Sequence, residues 1–175
     1  MKRSAILLPG LTSLGACGSV DVGHHAGEQP TLELSRYFDG TVDAWGLFQD
    51  RSGAVVKRFR VTIEGRWSDG HGVLDERFVY SDGSRQQRVW RIEALGGGHY
   101  RGRADDVVGV AFGETAGNAL RWRYVLRLPV DGREYDVSFD DWMFLIDERV
   151  LINRSVMRKF GIRLGEVTLT MVRRD

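Results

Sequence analysis

Three charged residues break the phase of otherwise apolar, alternating segments. Glu76 falls in step with Leu74, Phe78 and Tyr80. Arg88 falls in step with Trp90 and Ile92. Asp141 falls in step with Tyr135, Val137, Phe139, Met143 and Leu145. A charge on the face that meets a core must be paired, hydrogen-bonded or reached by water. Two functions would place such groups there: a polar anchor inside a ligand cavity, or acid–base work by Glu76 and Asp141. Glu76 and Arg88 flank an Asp82-Gly83 turn signal, so direct pairing, or an offset of two, brings their side chains together. That contact serves equally as a ligand anchor or as a buried structural ion pair. At Asp140-Asp141-Trp142-Met143 a bulge would exchange the two faces. Either Asp140 or Asp141 then points inward, and Trp142 joins the candidates. Asn153-Arg154 interrupts an apolar run, and one of the two must turn inward. Asn118, after Gly117, is a further candidate. Trp90, Trp122 and Tyr124 lie on the same apolar faces and would line any cavity beside these groups.

No Ser or Cys sits in the elbow pattern of hydrolases, and no His is placed to act as a base. His24-His25 lacks a partner cluster, while His71 and His99 sit in Gly-rich turns, so neither a metal site nor a cofactor is expected. These residues point away from an enzyme and towards binding.

The single cysteine does a different job. Met1-Lys2-Arg3 is a short basic start, residues 4–14 are apolar or small, and Leu14-Gly15-Ala16-Cys17 follows. That order describes an export signal. It is too short to span a bilayer, which needs about 20 apolar residues. The Leu-small-small-Cys ending resembles the lipobox of bacterial lipoproteins. The resemblance implies cleavage before Cys17, acylation of its thiol, and a lipid anchor. Gly18 and Ser19 follow, with no Asp to retain the protein in the inner membrane. The expected site is therefore the periplasmic leaflet of the outer membrane. Residues 1–16 read as the leader, 17–30 as a flexible tether rich in Gly, Ser, Asp and His, and 31–175 as the folded domain.

That domain must be built of strands. Strand-like runs cover 41–49, 55–67, 73–80, 86–94, 99–103, 107–112, 119–129, 133–146, 150–159 and 162–173, separated by Asp-Gly and Gly-rich pieces. Those pieces supply the left-handed positions of tight hairpins. Connections this short cannot carry crossover helices, so the sheet is antiparallel. In 119–129, Leu120, Trp122, Tyr124, Leu126 and Leu128 share one face, and Arg121, Arg123 and Arg127 share the other, with Val125 the exception. Each strand is wet on one side only, which predicts an all-β, up-and-down antiparallel barrel of 8–10 strands. A short helix is expected over 31–38, capped by Thr31. The aromatic residues are spread along the strands rather than girdling their ends, which argues against a transmembrane barrel. The chain has 25 basic and 24 acidic side chains, and this balance gives no electrostatic reason for a nucleic-acid partner. A monomer is expected.

Several segments together resemble a family of Gram-negative lipoproteins catalogued as a domain of unknown function. They are Tyr37-Phe38-Asp39-Gly40, Ala44-Trp45-Gly46, Phe78-Val79-Tyr80-Ser81-Asp82-Gly83, Gly117-Asn118-Ala119-Leu120, Phe139-Asp140-Asp141-Trp142-Met143 and Lys159-Phe160-Gly161. The resemblance spans about 31–172 and brings no catalytic residues with it. It implies a gene that neighbours those of fatty-acid-modifying enzymes, which points by association to a lipid ligand. In size, anchor and early Gly/Trp segment the barrel also resembles a lipocalin (calycin). The expectation is a lipoprotein whose barrel binds a small apolar ligand such as a fatty acid or other lipid. The alternatives are an enzyme acting on a lipid-like substrate and an envelope scaffold for a protein partner.

Overall fold

The computed structural model describes residues 20–130 and 132–175. Cys17, the leader and the first residues of the expected tether lie outside the described residues.

Ten antiparallel strands close into one up-and-down barrel. They are β1 (Gly40–Asp50), β2 (Val55–Ser68), β3 (His71–Tyr80), β4 (Arg85–Gly96), β5 (His99–Arg103), β6 (Ala111–Ala116), β7 (Ala119–Val130), β8 (Arg133–Leu145), β9 (Val150–Lys159) and β10 (Ile162–Arg173). Closure comes from β1 pairing with β10, Val42 opposite Arg173 through Asp50 opposite Gly165. Alternation turns one face of each strand inward. Val42, Ala44, Val61, Ile63, Leu120, Trp122 and Leu151 are all buried there. The Asp69-Gly70 hairpin has both residues left-handed, as a type I′ turn requires. Phe160-Gly161 adopts the same conformation, although a Phe there meets a steric cost that Gly or Asn avoids. The residue is 92 % exposed.

A single-turn helix, α1 (Leu34–Tyr37), plugs one end of the barrel. Leu32, Leu34, Tyr37 and Phe38 are buried, and the Tyr37 hydroxyl donates to the carbonyls of Arg149 and Met171. Gly65 is required under this plug, because a Cβ there would run into the Phe38 carbonyl. The helix is shorter than expected. Its cap position is Glu33, which makes no side-chain cap bond, and the Thr31 hydroxyl instead contacts Gln29. Packing of Leu34 and Phe38 into the barrel, rather than capping, holds this turn. Within the stretch expected to be tether, Val22–His25 form a 3-10 turn. Val22 is buried, and His25 packs edge-on against Trp142 and Phe144 on the outer barrel wall.

The expected strand at 107–112 is displaced. Residues 104–110 form a loop, and β6 begins at Ala111. Val107 makes one isolated bridge to Leu126, the Val108 amide donates to the Val125 carbonyl, and the Arg127 amide donates to the Asp106 carbonyl. The run of valines reads as a strand, but it takes up only these few bonds of the β7 edge. The loop stands in for wall where β5 and β6 are too short to reach. It also explains why Val125 breaks the pattern: Val108 and Val110 meet it in a shallow outer groove.

Candidate functional site

The inward face divides into two halves. Towards α1 it is packed. Trp90 and Trp122 meet edge-to-face, with ring centroids 5.6 Å apart. Gly113 makes room for Trp122, since a Cβ there would collide with the indole. Towards the opposite end the inward side chains are only partly buried, among them Phe59, Phe78, Tyr80, Leu128 and Met157. Between the halves lies a cavity of about 300 Å³, floored by Leu34 and Phe38 and opening towards Phe48, Lys57, Tyr80 and Gln86. Ten strands enclose more space than eight, which side chains alone can fill. The hairpin tips around the mouth expose apolar groups: Val55 and Val56, Val130, and Phe160 with Ile162.

The polar residues of this interior form two linked groups. Glu76 on β3 stands directly opposite Arg88 on β4, with Arg88 Nη1 3.7 Å from its carboxylate. The stronger partner of Arg88 is Asp106, on the wall-completing loop. Arg88 donates to it from Nε at 2.9 and 3.0 Å and from Nη2 at 2.7 Å. Burial works against the Arg88 charge, yet the Asp106 bonds and the Glu76 carboxylate outweigh it and hold its pKa above the usual value. Burial pushes Glu76 up to about 7. Arg88 opposes that rise, and Asp106 and Asp141 add to it. The second group surrounds Asp141 on β8, which is 6 % exposed. It accepts from the Ser155 hydroxyl and, at 3.2 Å, from the Tyr124 hydroxyl. Burial lifts Asp141 to about 6, restrained by hydrogen bonds from Ser155, Tyr124 and Asn153. Burial raises the Tyr124 hydroxyl well above its ordinary value, and Asp141 adds to the effect.

The structure therefore gathers Glu76, Arg88, Trp90, Trp122, Tyr124, Asp141 and Asn153 around one cavity. Asn153 is the inward member of its pair, while Arg154 reaches outward to Glu166 at 2.8 Å. Three candidates do not belong. Strand β8 runs through 140–143 in unbroken register with β7 and β9, so no bulge exchanges the faces. Asp140 is consequently outside, held by Arg121 at 2.8 and 2.9 Å. Trp142 is outside as well, stacked on Phe144 with Arg121 over its ring. Asn118 sits at the β6–β7 turn, where its side-chain amide donates to the Leu145 carbonyl, and it does not line the cavity. Two contributors escaped the sequence. Asp106 looks like an ordinary loop acid, with only the adjacent valines to suggest a packed loop. Ser155 lies in phase with Asn153, and that phase was the signal that could have found it.

Fold and site together define a ten-stranded, closed up-and-down barrel with an internal cavity that carries a small polar cluster in its wall. The chain belongs to the family described as protein of unknown function DUF3833, whose model matches residues 11–173. No curated protein matches it. Among solved structures it is similar to the S-type phycobiliprotein lyase CPES from Guillardia theta, at 6 % identity and a TM-score of 0.57. The match covers 78 % of this chain and 88 % of the lyase. It is also similar to a de novo designed fluorescence-activating β-barrel, at 13 % identity and a TM-score of 0.46, covering 82 % of this chain and 99 % of the design. At this identity the lyase likeness speaks to fold alone.

Proposed function

We propose that this protein is a non-enzymatic carrier that holds one small, lipid-like molecule inside its barrel. The observation that carries the reading is the cavity, closed at one end by α1 and lined mainly by aromatic and aliphatic side chains with a few polar groups. That is the make-up of small-molecule sites. At about 30 Å³ for each water-sized group, it takes roughly ten heavy atoms. A longer chain would leave through the mouth. Holding is favoured over reacting because the cavity hydroxyl of Ser155 is committed to Asp141, and no His or Cys lines the cavity among the described residues.

On the strength of Leu14-Gly15-Ala16-Cys17, we place the protein as a monomeric lipoprotein, acylated on Cys17 and held on the periplasmic face of the outer membrane. Cys17 stands five residues before Val22, a reach of at most about 18 Å. The Val22–His25 turn lies beside Gly117, at the α1 end. The anchor would thus hold the plugged end near the membrane and leave the mouth facing away. The test is native mass spectrometry of detergent-free protein. A bound species of roughly 150 daltons or somewhat more, a small lipid with any longer tail extending from the mouth, is expected, and a ligand-free mass with no uptake of added lipid would overturn the carrier reading. Labelling with a palmitate analogue should be lost in Cys17→Ser. The apolar rim at Val56, Phe160 and Ile162 favours a second reading, an envelope scaffold, which in-cell crosslinking from Phe160 would reveal as a discrete protein adduct.

A further inference from the structure

Resting on the reading of the cavity as a ligand site, we infer that it takes an apolar molecule whose polar end is a hydrogen-bond donor, a protonated amine above all, and turns away free carboxylates. The cation in the cavity is already engaged. Arg88 turns Nε and Nη2 to Asp106 in three contacts of 2.7 to 3.0 Å, so a ligand carboxylate is denied the paired Nε–Nη2 edge and would meet only Nη1, which already faces the Glu76 carboxylate at 3.7 Å. The other cation, Lys57 at the mouth, pairs with Asp82 at 2.9 Å. The lining holds two acids, Glu76 and Asp141, and two cations, Arg88 and Lys57; each cation has its closest carboxylate elsewhere, Asp106 for Arg88 and Asp82 for Lys57, which leaves the charge of the two lining acids largely unmatched. An anion entering this low-dielectric space meets negative charge that solvent screens poorly.

Acceptors are also left open. Glu76 faces Arg88 at 3.7 Å and the Trp90 indole, and a carboxylate has about four acceptor positions. Asn153, 3 % exposed, sets its carboxamide beside Asp141. Both line the cavity. A buried acceptor without a donor is costly, and a ligand N–H or O–H would supply one.

The charged and titratable groups facing Glu76 are Tyr80 on β3, Arg88 on β4, Asp106 on the loop, Tyr124 on β7, Asp141 on β8 and, at the mouth, Lys57 on β2. Strands β1, β9 and β10 add no titratable side chain to the lining. With Glu76 lifted to about 7 and Asp141 to about 6, their negative charge develops as pH rises through that range. Binding of an ammonium should strengthen over the same range.

The experiment titrates decylamine, decanol and decanoate, matched in chain length, into the purified protein and follows tryptophan fluorescence. At about pH 8 decylamine should bind at least about tenfold more tightly than decanoate, with decanol between. Its affinity should fall towards that of decanol by about pH 5. Glu76→Gln should weaken decylamine several-fold more than decanol, because the amide keeps an acceptor oxygen for a hydroxyl but not the charge that favours an ammonium. Decanoate binding as tightly as decylamine at about pH 8 would overturn the inference and leave the carrier reading standing. Failure of all three to bind would overturn the carrier reading, and the inference would fall with it.

Discussion

Glu76→Gln tests whether the cavity holds Glu76 against its own charge. Unfolded, Glu76 releases its proton near 4.5; folded, it does so near 7. Between these values the folded state binds a proton that the unfolded state has lost. Glu76 therefore imposes no penalty below about 4.5, an increasing one as pH rises, and its full penalty above about 7. At about 1.4 kcal/mol for each tenfold change in proton affinity, the full penalty is about 3 kcal/mol. The side chain retains 15 % exposure, so about 2–3 kcal/mol is the working figure. Glutamine matches the protonated acid in size and stays neutral. Arg88 keeps Asp106 as its partner in the variant, so no bare cation is created. Urea unfolding, followed by the fluorescence of the five tryptophans, should find variant and parent within about 0.5 kcal/mol at about pH 5. At about pH 8 the variant should be more stable by about 2–3 kcal/mol. A variant less stable than the parent at the higher pH, or a difference that does not change with pH, would refute the reasoning. The ion pair with Arg88 would then outweigh burial.

Asp106→Ala removes the latch between the wall loop and Arg88 and should cost about 2–4 kcal/mol, since it leaves a largely buried guanidinium with only the longer Glu76 contact of 3.7 Å. Hydrogen exchange should quicken at Val108 and Arg127, whose amides tie the loop to β7. Gly113→Ala should cost about 1–3 kcal/mol by forcing Trp122 from its place, measured as a lowered thermal midpoint. Asp140→Ala, on the outer face, should cost no more than about 1 kcal/mol and leave ligand binding untouched. A large loss of binding would return Asp140 to the site. Phe160→Asn should raise stability by about 0.5–1 kcal/mol in urea unfolding, because Asn accepts the left-handed backbone that Phe160 resists.

The all-β barrel, its antiparallel sense, most strand positions and the pairing of Glu76 with Arg88 were legible in the sequence. Period-two alternation and Asp-Gly turns are local signals, and they specify register across a hairpin. Where the reading failed, the cause was non-local. A run of valines at 107–110 looks like a strand. Whether it pairs depends on how far β5 and β6 extend, which only the closed barrel sets. The step at Asp140-Asp141 could have bulged or run straight, and it was decided by continuous pairing with β7 and β9.

By itself the sequence determined which faces are apolar, that three charges interrupt them, and that the chain carries a lipobox-like Cys17. The tertiary structure alone decided that ten strands enclose more volume than their side chains fill, and that α1 closes just one end. It also decided that Arg88 is committed to an aspartate eighteen residues away. Cavity volume and charge balance are sums over every strand at once, and no local pattern encodes them. That is why the sequence could point to a binding barrel, while the three-dimensional packing determined which charged groups share its interior and with what they pair.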